Sequence, residues 1–266
     1  MKKLFLLIFC LGILGSCQDV IDVDLNEAPP KLVVEANMNI WEDGASVASV
    51  RLTTTAAFFD NNVPDVTDAL VSLKAENGTV YSFTYTENGF YVSDFSPQPN
   101  TDYTLTINYK EERYTATEQL YSVVPLDFVQ QRNDGGFSGE DIELKAFFND
   151  PAGEDNFYFF EGLSTRGDVL DVYSDEFFDG NRIFGYYLVE DLAPGDEIEF
   201  NLYGINEAYH NFMFVLLQQT GGQGGGPFET QPATVRGNII NETDPDNFPL
   251  GYFRISEVST LRYTVE

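Results

Sequence analysis

Hydrophobic positions in this chain recur mostly at every second residue. Tyr103, Leu105, Ile107 and Tyr109 alternate with Thr104, Thr106 and Asn108, the pattern of a strand with one buried face. The same reading predicts strands over 31–37, 46–54, 69–75, 80–85, 89–93 and 113–118. Asn77-Gly78 lies between two of them and signals a hairpin, because both residues tolerate positive φ. Short strands with turn chemistry at each junction predict an N-terminal β-sandwich over 31–123.

Val124-Pro125-Leu126 reads as a boundary, and a second β-rich domain is expected over 124–266. Its strands are predicted at 141–148, 156–163, 169–173, 182–190, 197–203, 233–240 and 251–265. One segment changes period. From 206 to 220 the apolar residues Tyr209, Phe212, Met213, Leu216 and Leu217 fall at i, i+3, i+4, i+7 and i+8, one face of a helix. Asn206 suits the N-cap, Glu207 the positive end of the dipole, and Gly221 or Gly222 the left-handed C-terminal position. The glycine-rich stretch from Gly221 to Gly226 follows a helix and lacks a Lys-Ser/Thr pair, so it is a connector or contact loop and not a phosphate cradle.

The N-terminus has a different design. Met1-Lys2-Lys3 precedes an apolar run from Leu4 to Leu14 that is too short to span a bilayer and has the form of a secretory signal. Leu14-Gly15-Ser16-Cys17 resembles a bacterial lipobox, which makes 1–16 a lipoprotein signal peptide and Cys17 the acylated residue. An ordinary signal with an incidental cysteine is the competing reading. Processing removes Cys10 and leaves no free thiol, which excludes disulfides, cysteine-based zinc sites and a cysteine nucleophile together. Acyl chains at about 0.8 kcal/mol per buried methylene make such an anchor effectively permanent. The acidic tether over 17–30 carries Asp19, Asp22 and Asp24, which resemble a surface-export signal, although such signals usually have adjacent acids. A solvated spacer is the plainer alternative. At about 3.3–3.6 Å per residue it reaches roughly 45 Å.

Charge then narrows the partners. With 266 residues, 43 Asp plus Glu, 14 Lys plus Arg and a net charge of −29, the chain lacks the basic surface that phosphate backbones require, and no nucleic-acid partner is expected. Electrostatic docking on anionic lipid is disfavoured for the same reason. A 43% hydrophobic, 15% aromatic composition supports a real core. The single histidine, His210, lies beside the apolar stripe of the helix and reads as a surface residue. No Gly-x-Ser-x-Gly elbow is present to form a serine triad.

Acidic patches remain: Asp60-Asn61-Asn62 with Asp65, Asp150 with Glu154-Asp155-Asn156, Asp175-Glu176 with Asp179, and Asp244 with Asp246-Asn247. Each offers oxygen ligands to calcium, but none has EF-hand spacing. They read first as solvated loops, and no metal site or cofactor is assigned. Nothing selects a catalytic carboxylate pair, so no enzyme activity is expected. The segments Phe157-Tyr158-Phe159-Phe160 and Phe184-Gly185-Tyr186-Tyr187 supply core. Alternation also places some of their rings outside, as anchors for a protein or a sugar.

The segments Ala69-Leu70-Val71-Ser72-Leu73 and Asn88-Gly89-Phe90-Tyr91 resemble a transthyretin-like or carboxypeptidase-regulatory-like module. Together with the lipobox, Lys31-Leu-Val-Val-Glu-Ala, Val235-Arg236-Gly237-Asn238-Ile239 and Leu250-Gly251-Tyr252-Phe253, the chain resembles Bacteroidota lipoproteins of domain of unknown function family 4249. The resemblance implies a mainly β fold, an immunoglobulin-like sandwich followed by the β-rich domain with one helix. It also implies an outer-membrane lipoprotein, often associated with TonB-dependent receptors. The expected function is therefore a non-enzymatic surface partner of such a receptor in nutrient capture or uptake. The rival expectation is a free-standing glycan-binding or adhesive sandwich. No ligand-binding residue can be named from the sequence.

Overall fold

The structure is a computed structural model describing residues 29–57, 62–136, 139–220 and 234–266. Its first strands are β1 (Leu32–Trp41), β2 (Ser46–Thr54), β3 (Leu70–Ala75), β4 (Val80–Ser82), β5 (Thr84–Tyr85) and β6 (Phe90–Ser93). Next come β7 (Tyr103–Tyr109), β8 (Glu112–Glu118), β9 (Leu120–Tyr121), β10 (Leu126–Gly135), β11 (Asp141–Asn149) and β12 (Phe157–Leu163). The chain continues through β13 (Val169–Ser174), β14 (Arg182–Tyr187), β15 (Glu197–Ile205), the helix α1 (Glu207–Thr220), β16 (Ile240–Asn241) and β17 (Leu250–Thr264). The protein is mainly β, as its patterning predicts.

A nine-stranded sheet runs in the order β13-β12-β15-β17-β1-β2-β6-β5, with β9 also on β17. Near its centre β1 and β17 pair in parallel, from Val33↔Leu250 to Trp41↔Val258. Two smaller sheets, β16-β8-β7-β3-β4 and β10-β11-β14, pack against different stretches of it. Leu32, Val34, Ala36 and Met38 of β1 and Phe253 and Ile255 of β17 share one core with Val71, Leu73, Leu105, Ile107 and Tyr114. A second core joins Leu144, Ala146 and Phe148 of β11 to Tyr158, Phe160, Phe200 and Leu202. Both are sandwich cores, made by inward-facing residues of two sheets. Ile239, Phe253 and Ile255 belong to the first core, across the division expected at residue 124.

The helix closes a third cluster. Tyr209 and Met213 are buried against Phe159, Tyr203, Ile205 and Tyr252, with Phe212, Leu216 and Leu217 packed around them. The Tyr209 N–H donates to Asn206 Oδ1 at 2.7 Å, so Asn206 is the N-cap. This packing corrects the expectation that rings of 157–160 alternate outward. Tyr158, Phe159 and Phe160 are all buried, because a sandwich core covers one face of β12 and α1 covers the other.

Three strand expectations change. Residues 80–85 divide at buried Phe83: β4 pairs with β3, whereas β5 pairs with β6 in the larger sheet. Residues 182–190 are a strand only as far as Tyr187. Within the strand expected over 233–240, the described residues 234–239 are irregular and pairing begins at Ile240. The strand β10 was not predicted, because only its first and last residues, Leu126 and Gly135, are buried. No helix among the described residues is long and apolar enough to cross a membrane.

Candidate functional site

The outer face of the β10-β11-β14 sheet carries a row of exposed aromatic residues. Its inner residues, Leu144, Ala146, Phe148 and Tyr187, fill the second core, so the alternate residues must face away. Cross-strand register aligns Phe128 with Phe147 and Phe147 with Phe184. The next row aligns Gln130 with Lys145 and Lys145 with Tyr186. Phe128 is 43% and Phe184 38% exposed. Large apolar side chains gathered in one exposed row require an explanation that scattered ones do not.

The rings form a continuous row of contacts. Phe128 and Phe147 lie 4.9 Å apart at 15°, and Phe147 and Phe184 lie 5.3 Å apart at 58°. A cation closes each end: the Arg182 guanidinium is 5.6 Å from the Phe128 centroid and Lys145 Nζ 4.9 Å from that of Phe184. Cation–π contacts at exposed sites contribute about 0.5–1 kcal/mol each. Both cations are held from the side. Arg182 Nε donates to Asn149 Oδ1 at 3.0 Å and lies 3.8 Å from Asp127. Lys145 Nζ is 2.7 Å from Glu143 Oε1, and Tyr186 O–H donates to Glu143 Oε2 at 3.0 Å. The hydrogen bond from Lys145, helped by that from Tyr186, holds the Glu143 carboxyl below its ordinary range. Burial, with Glu143 second, pushes the Tyr186 phenol up.

This geometry selects among partners. A sugar ring stacks on an open aromatic face, but Phe128 and Phe147 turn their faces to each other. The row presents aromatic rings, a guanidinium and an ammonium. Aromatic residues and arginine are the enriched chemistry of protein interfaces. Phe184 and Tyr186 stand in a segment singled out from the sequence. Phe128 and Phe147 were missed, and their signal was the alternation of aromatic with polar residues in Phe128-x-Gln130 and Lys145-x-Phe147.

The other sequence candidates are placed differently. Cys17, Asp19, Asp22, Asp24, Asp60, Asn61 and Gly221 to Gly226 lie outside the described residues. Asp150, Asp175 and Asp179, drawn from two patches, come together within 4.8 Å. Tyr158 O–H and Gly180 N–H donate to Asp150 at 2.7 and 2.9 Å, Asn156 N–H to Asp175 at 2.8 Å, and Gly153 N–H to Asp179 at 2.7 Å. These bonds tie two neighbouring loops together, while Glu154, Asp155 and Glu176 remain exposed. At Asp244, Oδ1 accepts the Asp246 N–H at 3.2 Å and shapes a turn. His210 sits between the rings of Phe157 and Phe214, at 5.5 and 6.3 Å.

A buried polar stripe crosses the junction under α1. Tyr252, Arg254 and Ser256 alternate on the face of β17 opposite Phe253 and Ile255. Arg254 Nη1 donates to Asn39 Oδ1 at 3.0 Å, and its guanidinium lies 4.3 Å from the Tyr203 centroid. Nearby Glu118 is 8% exposed and accepts from Asn238 Nδ2 at 2.8 Å and Asn206 Nδ2 at 3.1 Å. Burial pushes its carboxyl above the ordinary range, and the two amides only partly oppose that.

The chain matches the family described as Domain of unknown function (DUF4249) over residues 18–262. No curated protein matches it. Among solved structures it is similar to a two fibronectin type-III domain segment from chicken tenascin, at 15% identity. That likeness covers 66% of this chain and 91% of the other, with a TM-score of 0.22.

Proposed function

The chain belongs to the DUF4249 family of unknown function, and from that premise we propose that it is a non-enzymatic outer-membrane lipoprotein of Bacteroidota serving a TonB-dependent receptor in nutrient capture or uptake. Cys17 carries the lipid, and the tether with Asp19, Asp22 and Asp24 leads the folded part to the cell exterior. The observation that carries the binding role is the cation-capped row of Phe128, Phe147 and Phe184. Its paired rings and held cations suit a protein surface better than a glycan. A lipid anchor keeps the row near the receptor mouth and raises its effective concentration, so a modest contact suffices.

A photo-crosslinking residue at Phe128 or Phe184, exposed on intact cells, tests the assignment. The reading expects a crosslinked product containing a TonB-dependent barrel from these positions and none from Leu70, which is 73% exposed on a different sheet. Crosslinks equally frequent at Leu70 would remove the row from the account.

A further inference from the structure

We infer that the depression beside Phe248 binds a small organic carboxylate, with Arg236 as its cationic contact. The inference concerns a different sheet from the aromatic row and does not rest on the receptor reading. The depression has a volume of about 160 Å³, and Ile239, Ile240, Pro245, Phe248 and Pro249 give it apolar walls, with Arg236 at its edge.

In a chain of net charge −29, a cation ordinarily has a carboxylate at hand. Arg113 pairs with Glu242 at 3.1 Å, Arg166 with Asp196 at 2.8 Å and Arg262 with Glu199 at 2.8 Å. Among the described residues Lys31 and Arg236, like Lys74, Lys110 and Arg254, have no carboxylate within 4.0 Å. Instead Lys31 Nζ and the Arg236 guanidinium each lie 3.8 Å from the centroid of the same Phe248 ring. Of the two, only Arg236 lines the depression, where an anion would meet its charge. Arg236 keeps a planar fork of donors at the mouth, the geometry that matches a carboxylate.

Lys31 and the backbone beside Arg236 are also held in place. Lys31 Nζ donates to the Phe248 carbonyl at 3.3 Å, and Lys31 N–H donates to Thr55 Oγ1 at 3.0 Å. Beside Arg236, Gly237 presses so closely on β17 that a Cβ there would stand 1.6 Å from the Gly251 carbonyl oxygen. The Asn238 carboxamide then bonds to both backbone groups of Phe253. A fixed guanidinium beside an apolar hollow selects a carboxylate with a compact apolar body, because a bare anion leaves the hollow unfilled.

Isovalerate and its uncharged amide, isovaleramide, are the probes, titrated into the full-length lipoprotein in detergent and read by saturation-transfer NMR. Isovalerate is expected to bind saturably, with the amide at least about tenfold weaker, the factor lost with a charge-assisted hydrogen bond. Arg236→Gln is expected to weaken isovalerate by about the same factor. Ile240→Asp, on a wall residue 60% exposed, sets a competing carboxylate in the same lining as Arg236 and is expected to abolish binding. Equal affinity for acid and amide, undiminished binding by Ile240→Asp, displacement by inorganic phosphate as effective as by isovalerate, or no saturable binding each overturns the inference.

Discussion

Asn238 stands in for a strand beside Phe253. Its Oδ1 accepts the Phe253 N–H at 2.9 Å and its Nδ2 donates to the Phe253 carbonyl at 2.8 Å. Farther along β17, β9 pairs at Ile255 and Ser256, and β15 takes over from Val258. A single carboxamide thus continues an edge that short strands complete, and it places 236–239 across the start of β17. Backbone groups buried without partners are costly.

Asn238→Ala leaves both backbone groups of Phe253 without this partner and takes one donor from Glu118. The expected loss is about 1–3 kcal/mol of unfolding free energy, measured by urea denaturation of the purified protein. Stability within about 0.5 kcal/mol of the parent, the range of an ordinary surface substitution, would show that water replaces the amide.

Glu118 supplies a pH prediction. Its folded-state carboxyl titrates above the ordinary glutamate value of 4.5, chiefly through burial. Between those two values the folded state holds more protons than the unfolded state, so stability falls as pH rises through that window. Glu118→Gln keeps an acceptor for Asn238 and removes the charge. The variant is expected to lose this part of the decline and to melt at or above the parent temperature at neutral pH. Paired melting curves from pH 4.5 to neutrality check it, and an unchanged difference between the two proteins across that range contradicts it.

The helix was legible in sequence because its apolar period and its N-cap are local properties. Its docking place was not. That placement buries Phe159 on the face of β12 that alternation alone left open. Strand β10 was invisible for the opposite reason: Gln130, Gln131, Arg132, Asn133 and Asp134 give an edge strand no apolar alternation. The aromatic row needs three strands in register, so Phe184 and Tyr186 were noticed while Phe128 and Phe147 were not. The stretch 234–239 has apolar Val235 and Ile239, yet Gly237 and Asn238 use close approach and a side-chain clamp where a strand was expected.

Two neighbours in the helix separate core from surface. Met213 is 7% exposed and Phe214 50%. Met213→Ala is expected to cost about 2–5 kcal/mol, whereas Phe214→Ala should stay within about 0.5 kcal/mol. Chemical denaturation of both variants measures this, and equal losses would contradict the burial of the stripe.

The anchor and the tether make separable predictions. Cys17→Ala is expected to abolish labelling by a palmitate analogue and release the protein from membranes. Changing Asp19, Asp22 and Asp24 to Ala is expected to preserve labelling but protect the protein from external protease on intact cells. Persistent labelling in the first variant contradicts acylation at Cys17, and undiminished cleavage in the second contradicts the export role.

The protein is proposed to hold a TonB-dependent receptor through the row on β10, β11 and β14. Affinity purification of the tagged protein from detergent-solubilised outer membranes measures it most directly. Parent protein should bring down a TonB-dependent barrel in near-stoichiometric amount. A Phe128→Asn, Phe184→Asn double variant that melts normally should lose that barrel by about tenfold or more, the scale of an interface hot spot. A parent that purifies without a barrel, or a double variant that retains it fully, would contradict the account.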